Sequence, residues 1–150
     1  MKKTKTLIGL LATICALVAI FTLFCTAFGN VGEFPSSRGS AFDVMFGSQS
    51  YDAVPGMIAA FVILCVAAFV LLAGSLLPSK LAMIVLGVGS VLSLVGAIML
   101  FFAPGMFQAV AGSSLEAEVP TLGIGLILPA IFGILGGLIG LLGARNAMKE

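Results

Sequence analysis

Residues 54–103 read VPGMIAAFVILCVAAFVLLAGSLL (54–77), PSK (78–80) and LAMIVLGVGSVLSLVGAIMLFFA (81–103). The two apolar runs in this stretch contain no charged residue, and only a short turn with Pro78 and Lys80 separates them. An α-helix needs roughly 20 apolar residues to cross the hydrocarbon core of a bilayer. Because the turn is so short, the stretch predicts two neighbouring, antiparallel transmembrane helices.

Two more uncharged apolar runs flank this hairpin, Leu7–Phe28 before it and Thr121–Gly143 after it. Hydrophobic residues make up 61% of the chain and charged residues only 9%, whereas a soluble domain has about 25% charged residues. We therefore predict an all-α integral membrane protein, an antiparallel four-helix transmembrane bundle in one domain over residues 1–150. The predicted spans are about 7–28, 54–77, 81–103 and 121–143, with a long outer loop at 29–53 and a shorter one at 104–120.

Charge is unevenly distributed between the two sets of span ends. Cytoplasmic loops are enriched in Lys and Arg, so we predict that both termini and the turn at 78–80 face the cytoplasm in a multi-pass plasma-membrane protein. Only Arg38 and Glu150 depart from the pattern. The basic residues at the inner ends are Lys2, Lys3, Lys5, Lys80, Arg145 and Lys149, and the acidic residues at the outer ends are Glu33, Asp43, Asp52, Glu116 and Glu118.

A signal peptide is the alternative interpretation of the N-terminal lysines and the apolar run that follows them. The apolar core of a signal peptide is about 7–15 residues long, whereas this run continues to Phe28. We therefore expect the run to remain as the first span; cleavage would leave three spans. Cys15, Cys25 and Cys65 all lie within predicted spans, where we expect them to behave as small apolar residues.

The fourth span carries two G-x-x-x-G motifs, Gly133–Gly137 and Gly136–Gly140. Membrane helices associate by close packing, which small residues permit. We predict a glycine groove on span four that packs against a ridge of small residues on span three; the alternative is homodimerisation through the same face. The predicted packing residues are Gly89, Ser93, Ala97, Gly125, Gly133, Gly136, Gly137 and Gly140.

Aromatic residues concentrate near the predicted outer ends of the spans. In the first outer loop, Phe42, Met45 and Phe46 recur at i, i+3 and i+4, which predicts one face of a short helix. Phe107 lies in a similar, weaker pattern in the second outer loop. We predict that these four residues form an apolar cap on the outer mouth of the bundle. The alternative is a scattered set of lipid-facing side chains.

Several kinds of chemistry are excluded by missing residues. The chain has no His, which rules out His-ligated haem, His metal sites and a His proton relay. No charged residue lies within a span, although such residues normally mark ion and proton pathways. We predict no catalytic, cofactor or metal site, and no nucleic-acid partner. The polar side chains in the spans are hydroxyls, which we expect to bond their own helix backbone: Thr13, Thr22, Thr26, Ser75, Ser90 and Ser93.

The predicted layout resembles that of claudin-type tetraspans, with inside termini, a long first outer loop, a shorter second one and a tight inner turn. The outer-loop signature of that family, Trp, Gly-Leu-Trp and two Cys, is missing from residues 29–53. The resemblance therefore implies a layout and no functional residues. Small multidrug transporters also have four spans, but they carry a membrane-embedded carboxylate that the first span here lacks.

These features favour a non-enzymatic structural or accessory membrane protein that acts through helix–helix and outer-loop contacts. Its expected partners are the lipid bilayer and either further copies of itself or a larger membrane complex. The alternative function is an oligomeric pore or a carrier for a neutral or lipid-like substrate, with Ser90, Ser93 and the glycines of span four lining the path.

Overall fold

The computed structural model describes residues 2–24, 28–29, 41–47, 53–103, 105–106, 121–122 and 124–149. Two short strands pair antiparallel, with Phe28 opposite Leu122 and Gly29 opposite Thr121. In chain order the elements are α1 (Lys2–Thr22), β1 (Phe28–Gly29), α2 (Ala41–Phe46), α3 (Pro55–Leu76), α4 (Ser79–Phe101), β2 (Thr121–Leu122) and α5 (Ile124–Met148).

Four of these helices, α1, α3, α4 and α5, are long and apolar enough to cross a membrane, with mean hydropathies of 2.1 to 2.9. The prediction of four apolar spanning helices is confirmed, and a multi-pass membrane protein is indicated. The helices form a bundle in which each packs mainly against two others. Helix α1 lies against α3 and α5, and α4 lies against the same two helices.

Prolines lie at the bounds of α3 and α4. Pro55 is the first residue of α3, where its missing N–H costs no helical hydrogen bond. The other end of α3 is at Leu76, and Leu77 is extended (φ −77°, ψ 158°) because the following Pro78 disfavours the helical conformation at the residue before it. Helix α4 begins directly after Pro78.

Helices α1 and α5 are displaced from the apolar runs that predict them. Helix α1 begins at Lys2 and ends at Thr22 instead of covering 7–28, and α5 covers 124–148 instead of 121–143. Phe28 and Thr121 are extended and belong to the strand pair. An apolar run by itself does not distinguish residues in a short strand from residues in a helix. At the other ends, α1 is extended by three lysines and α5 by Ala, Arg and Met residues, all of which favour helix.

The core consists of two clusters of buried side chains, which differ in composition. Large side chains dominate the first, hereafter the leucine–methionine cluster, and alanine dominates the second, hereafter the alanine cluster. The leucine–methionine cluster contains Leu23, Met45, Val54, Met57, Ala60, Leu64, Leu100, Ala103, Leu126 and Ala130. The alanine cluster contains Ala12, Ala16, Ala68, Leu71, Ala82, Leu86, Ala144 and Ala147.

Candidate functional site: helix interfaces and the capped end

The contact between α4 and α5 centres on Gly133. The Ser93 hydroxyl on α4 donates a hydrogen bond to the Gly133 carbonyl at 2.7 Å. A Cβ added at Gly133 would lie 2.8 Å from the Cβ of Ala97, closer than side chains can approach without a shift of one helix. Gly137 is equally close to α4, because its added Cβ would lie 2.6 Å from Leu94 Cγ and 3.0 Å from the Ser90 carbonyl oxygen.

The glycines of α5 do not share one face. Gly140 lies next to Ser90 of α4, beside Gly133 and Gly137. Gly136 instead faces α1, where an added Cβ would lie 3.2 Å from the Ala12 carbonyl oxygen. The motif Gly133–Gly137 therefore faces one neighbour, whereas Gly136 and Gly140 face two different helices.

The predicted ridge on α4 needs one correction. Ser93 and Ala97 lie against α5, but Gly89 lies against α3, where an added Cβ would be 3.1 Å from the Leu71 backbone nitrogen. The spacing from Gly89 to Ser93 to Ala97 suggested one face, but eight residues of a straight helix turn through about 800°, roughly 80° more than two full turns, so the stripe drifts around the helix. Gly125 lies in the first turn of α5, and its surroundings lie outside the described part of the chain.

Four of the buried or half-buried hydroxyls bond their own helix, as predicted. The acceptors are the carbonyl oxygens three or four residues earlier, and the distances run from 2.6 to 2.9 Å. Ser93 is the exception because its hydrogen bond joins two helices, and Thr26 lies outside the described residues. The four residues are Thr13, Thr22, Ser75 and Ser90.

The predicted short helix in the first outer loop is present as α2. Its Phe42 N–H donates to the Leu23 carbonyl at 3.1 Å, and its Met45 carbonyl accepts from the Val54 N–H at 2.9 Å. These two bonds fasten α2 to the end of α1 and to the residue before α3. Gly47 follows α2 with φ 81°, a left-handed conformation that glycine adopts without steric cost and that commonly ends a helix.

Among the α2 side chains that the structure describes, Met45 is the one that is fully buried in the bundle. It is fully buried within the leucine–methionine cluster, among Leu23, Val54 and Met57. Phe46 is 48% exposed and does not enter the core. The end of the bundle that α2 covers is hereafter the capped end.

Aromatic rings pack against one another at the capped end. Phe42 stacks on Phe24 with ring centroids 5.2 Å apart and meets Phe61 edge-on at 5.8 Å. Phe46 packs 4.7 Å from Phe42 and 6.2 Å from Phe61. Offset and edge-on arrangements of this kind are favourable. Phe107, the fourth predicted cap residue, lies outside the described residues.

Lys5 is a buried charge, although the sequence pattern indicates only that it belongs to a basic cluster. Its side chain is 4% exposed, and its ammonium group donates a 2.6 Å hydrogen bond to the Leu77 carbonyl. That carbonyl lies just beyond the end of α3, where a cation is favoured by the helix dipole. The bond joins α1 to the turn between α3 and α4.

The close approach of α1 to α3 was also missed. A Cβ added at Gly9 would lie 2.6 Å from the Cβ of Ser75. Small residues recur along this buried face of α1 at Gly9, Ala12, Ala16 and Ala19. This spacing of three and four was present in the sequence and marks a packing face, but the more conspicuous glycines of α5 drew the prediction elsewhere.

Within the described residues, no group of three or more His, Cys, Asp or Glu residues is placed to hold a metal ion. Cys15 and Cys65 are free and half-buried within the helices. Comparison with protein-family models, curated proteins and solved structures finds no match for this chain. Arguments about function therefore rest on the geometry of the bundle itself.

Proposed function

We propose that this protein is a non-enzymatic structural or accessory membrane protein that acts through the outward faces of its helices and through its capped end. The observation that carries the proposal is the occupied interior. Alanine and glycine faces bring the helices together along one half of the core, and Met45 fills the capped end of the other half. Among the described residues, every buried side-chain nitrogen or oxygen has a hydrogen-bond partner, so this part of the interior offers no unpaired polar group to a substrate.

We also propose the antiparallel arrangement with both termini in the cytoplasm of a plasma-membrane protein. Lys5 bonds the Leu77 carbonyl, and an added Cβ at Gly143 would lie 3.4 Å from a methyl of Ile8. These contacts support an arrangement in which the start of α1, the α3–α4 turn and the end of α5 share one basic end. This end is hereafter the basic end.

A topology experiment tests the orientation. A reporter that is active only outside the cytoplasm is fused in turn at four positions. Activity at the two outer-loop positions alone supports the proposed orientation, and activity at the position in the α3–α4 turn contradicts it. The fusion sites are Ser37, Ser79, Ser113 and Glu150.

Photocrosslinking in the membrane tests the accessory role. A photoreactive amino acid at Leu17, Phe69, Val91 or Leu138 places one probe on the outward face of each long helix, where all four residues are exposed. The matched control is the same probe at the buried Leu86. A reproducible second protein at one outward face, absent from the control, supports the accessory role. Crosslinks to lipid alone at every outward face contradict it.

An oligomeric pore or carrier is the second candidate, and the outward face of α4 favours it. Branched residues recur there at a four-three-four-three spacing, which is typical of a helix–helix seam. A Cβ added at Gly87, beside this row, would meet nothing within 4 Å. Self-crosslinks from Val91 would support this candidate. The exposed residues of the row are Ile84, Val88, Val91, Val95 and Ile98.

The residues expected to line such a pore need revision. Ser90 and Ser93 are fully buried, and both hydroxyls already bond carbonyl oxygens within the bundle. They therefore do not face a second copy across the outward surface of α4. A pore between copies would have to be lined by the apolar row on that surface.

A further inference from the structure

The outer surface of α1 carries an open groove at the basic end of the bundle. The groove has a volume of about 430 Å³ and is lined by Lys3, Thr6, Leu7 and Leu10. One end of it has an exposed ammonium group and a hydroxyl-bearing residue, and the other end has two leucine side chains. Because a helix rises 1.5 Å per residue, Lys3 and Leu10 lie about 10 Å apart along its axis.

The groove lies at the start of the candidate membrane span in α1, which begins at Lys3. In a bilayer, a cation at the end of a span is expected at the headgroup level, with Leu7 and Leu10 beside the acyl chains. The polar end of the groove matches the headgroup of a phospholipid, and the apolar end matches its acyl chain. Free phosphate would match only the polar end.

The charge around the groove selects the kind of headgroup. Lys80, Arg145 and Lys149 are exposed at the same end of the bundle. In the sequence of the three segments that meet at this end, residues 2–24, 77–81 and 143–150, the one acidic residue is Glu150. Clusters of Lys and Arg at the end of a membrane helix attract anionic lipids, whereas a zwitterionic headgroup gains little from such a surplus of positive charge.

We propose that this groove is a binding site for an anionic phospholipid, with the lipid phosphate at Lys3 and an acyl chain along Leu7 and Leu10. Lys5 does not contribute its charge to the site because its ammonium group is buried against the Leu77 carbonyl. The two lysines therefore have different roles: Lys5 stabilises the fold, and Lys3 binds the ligand.

Tryptophan quenching by brominated lipids tests the proposal directly, because the chain has no Trp of its own. Leu10→Trp places a reporter in the groove, and Phe21→Trp places a matched reporter on the same exposed face of α1, three helical turns away. The full-length protein is reconstituted into phosphatidylcholine vesicles that contain brominated phosphatidylglycerol or, at equal mole fraction, brominated phosphatidylcholine. We expect the anionic lipid to quench Leu10→Trp more strongly than the zwitterionic lipid, and the two lipids to quench Phe21→Trp equally.

A second pair of variants separates a site from a diffuse charge effect. In the Leu10→Trp protein, Lys3→Gln should lower the preference for the anionic lipid by about fivefold, the effect of one cation beside an anionic surface. Lys149→Gln removes the same charge from the same end, outside the groove, and should leave most of the preference. Equal losses in the two variants, or equal quenching of Leu10→Trp by both lipids, would overturn the proposal.

Three controls complete the experiment. Lys3→Arg should retain the preference, and far-ultraviolet circular dichroism with a thermal scan verifies that each variant is folded. Inorganic phosphate, exchanged for chloride at constant ionic strength, should leave the quenching unchanged. Displacement of the lipid by inorganic phosphate would mean that the groove binds a free anion and would also overturn the proposal.

Discussion

The two halves of the core are held together in different ways. In the leucine–methionine cluster, large side chains from four helices and from α2 interdigitate, and Met45 enters from outside the spans. In the alanine cluster the side chains are short, so the helix backbones approach closely and one charged hydrogen bond, from Lys5 to the Leu77 carbonyl, closes the end. The leucine–methionine cluster should therefore be sensitive to lost volume, and the alanine cluster to added volume.

Met45→Ala should have the largest effect, a destabilisation of about 2–5 kcal/mol, because it empties a fully buried position. Met45→Leu keeps most of the volume and should cost less than about 1.5 kcal/mol. SDS-induced unfolding in mixed micelles, followed by far-ultraviolet circular dichroism, measures both. Phe46→Ala, on the exposed side of α2, is the control. If Met45→Ala costs no more than this control, α2 does not close the leucine–methionine cluster.

Lys5→Met should cost about 1.5–3 kcal/mol, because the Leu77 carbonyl loses a charged donor in a buried position. Lys3→Met removes the same charge from an exposed position two residues away and should change stability by less than about 0.5 kcal/mol. Thermal unfolding in a zwitterionic detergent compares them, because SDS is anionic and would itself interact with Lys3. Similar effects in the two variants would show that Lys5 acts only as part of the basic cluster.

Gly9→Ala should destabilise the protein by about 1–3 kcal/mol, because the added methyl meets Ser75 and forces α1 away from α3. Gly87→Ala makes the same chemical change in the middle of α4, where nothing lies within 4 Å. It should stabilise the protein by about 0.5–1 kcal/mol through helix propensity. The test is whether the changes in unfolding free energy of the two variants have opposite signs. A stabilising Gly9→Ala would mean that the alanine cluster has room for added volume.

The sequence predicts the spans better than it predicts the faces. Apolar runs and prolines located four helices because both signals are local, and the spacing of Phe42, Met45 and Phe46 located α2. The role of Lys5 depends on its distance to Leu77, which lies 72 residues away in the chain. No local pattern encodes that contact.

Spacing along a helix also fails to assign every glycine to its partner helix. It predicts the small residues that contact Gly133 across α4 and α5, but Gly89 lies against α3 instead of α5, and Gly136 lies against α1 instead of α4. In a bundle where every helix has two neighbours, adjacent residues on one helix belong to different interfaces. Spacing identifies which residues are buried, and only the arrangement of helices assigns them to a partner.

Ser93→Ala should have the smallest effect, about 0.6 kcal/mol, the average value of a side-chain hydrogen bond between membrane helices. Ser90→Ala should cost less, because the Ser90 hydroxyl bonds only its own helix. Thermal unfolding in detergent distinguishes the two variants if their midpoints are measured in parallel. An equal or larger effect of Ser90→Ala would contradict the assignment of Ser93 as the bond between α4 and α5.

The central claim is that one copy of this bundle is closed and has no path for ions or lipids through its interior. The direct measurement is reconstitution into liposomes at less than one copy per vesicle on average, followed by ion-flux and lipid-scrambling assays over a series of protein densities. We expect no transport above that of protein-free liposomes at the lowest densities, and any flux at higher density should rise more steeply than the first power of density. Flux proportional to the first power of protein density would contradict the claim, because a single bundle would then conduct.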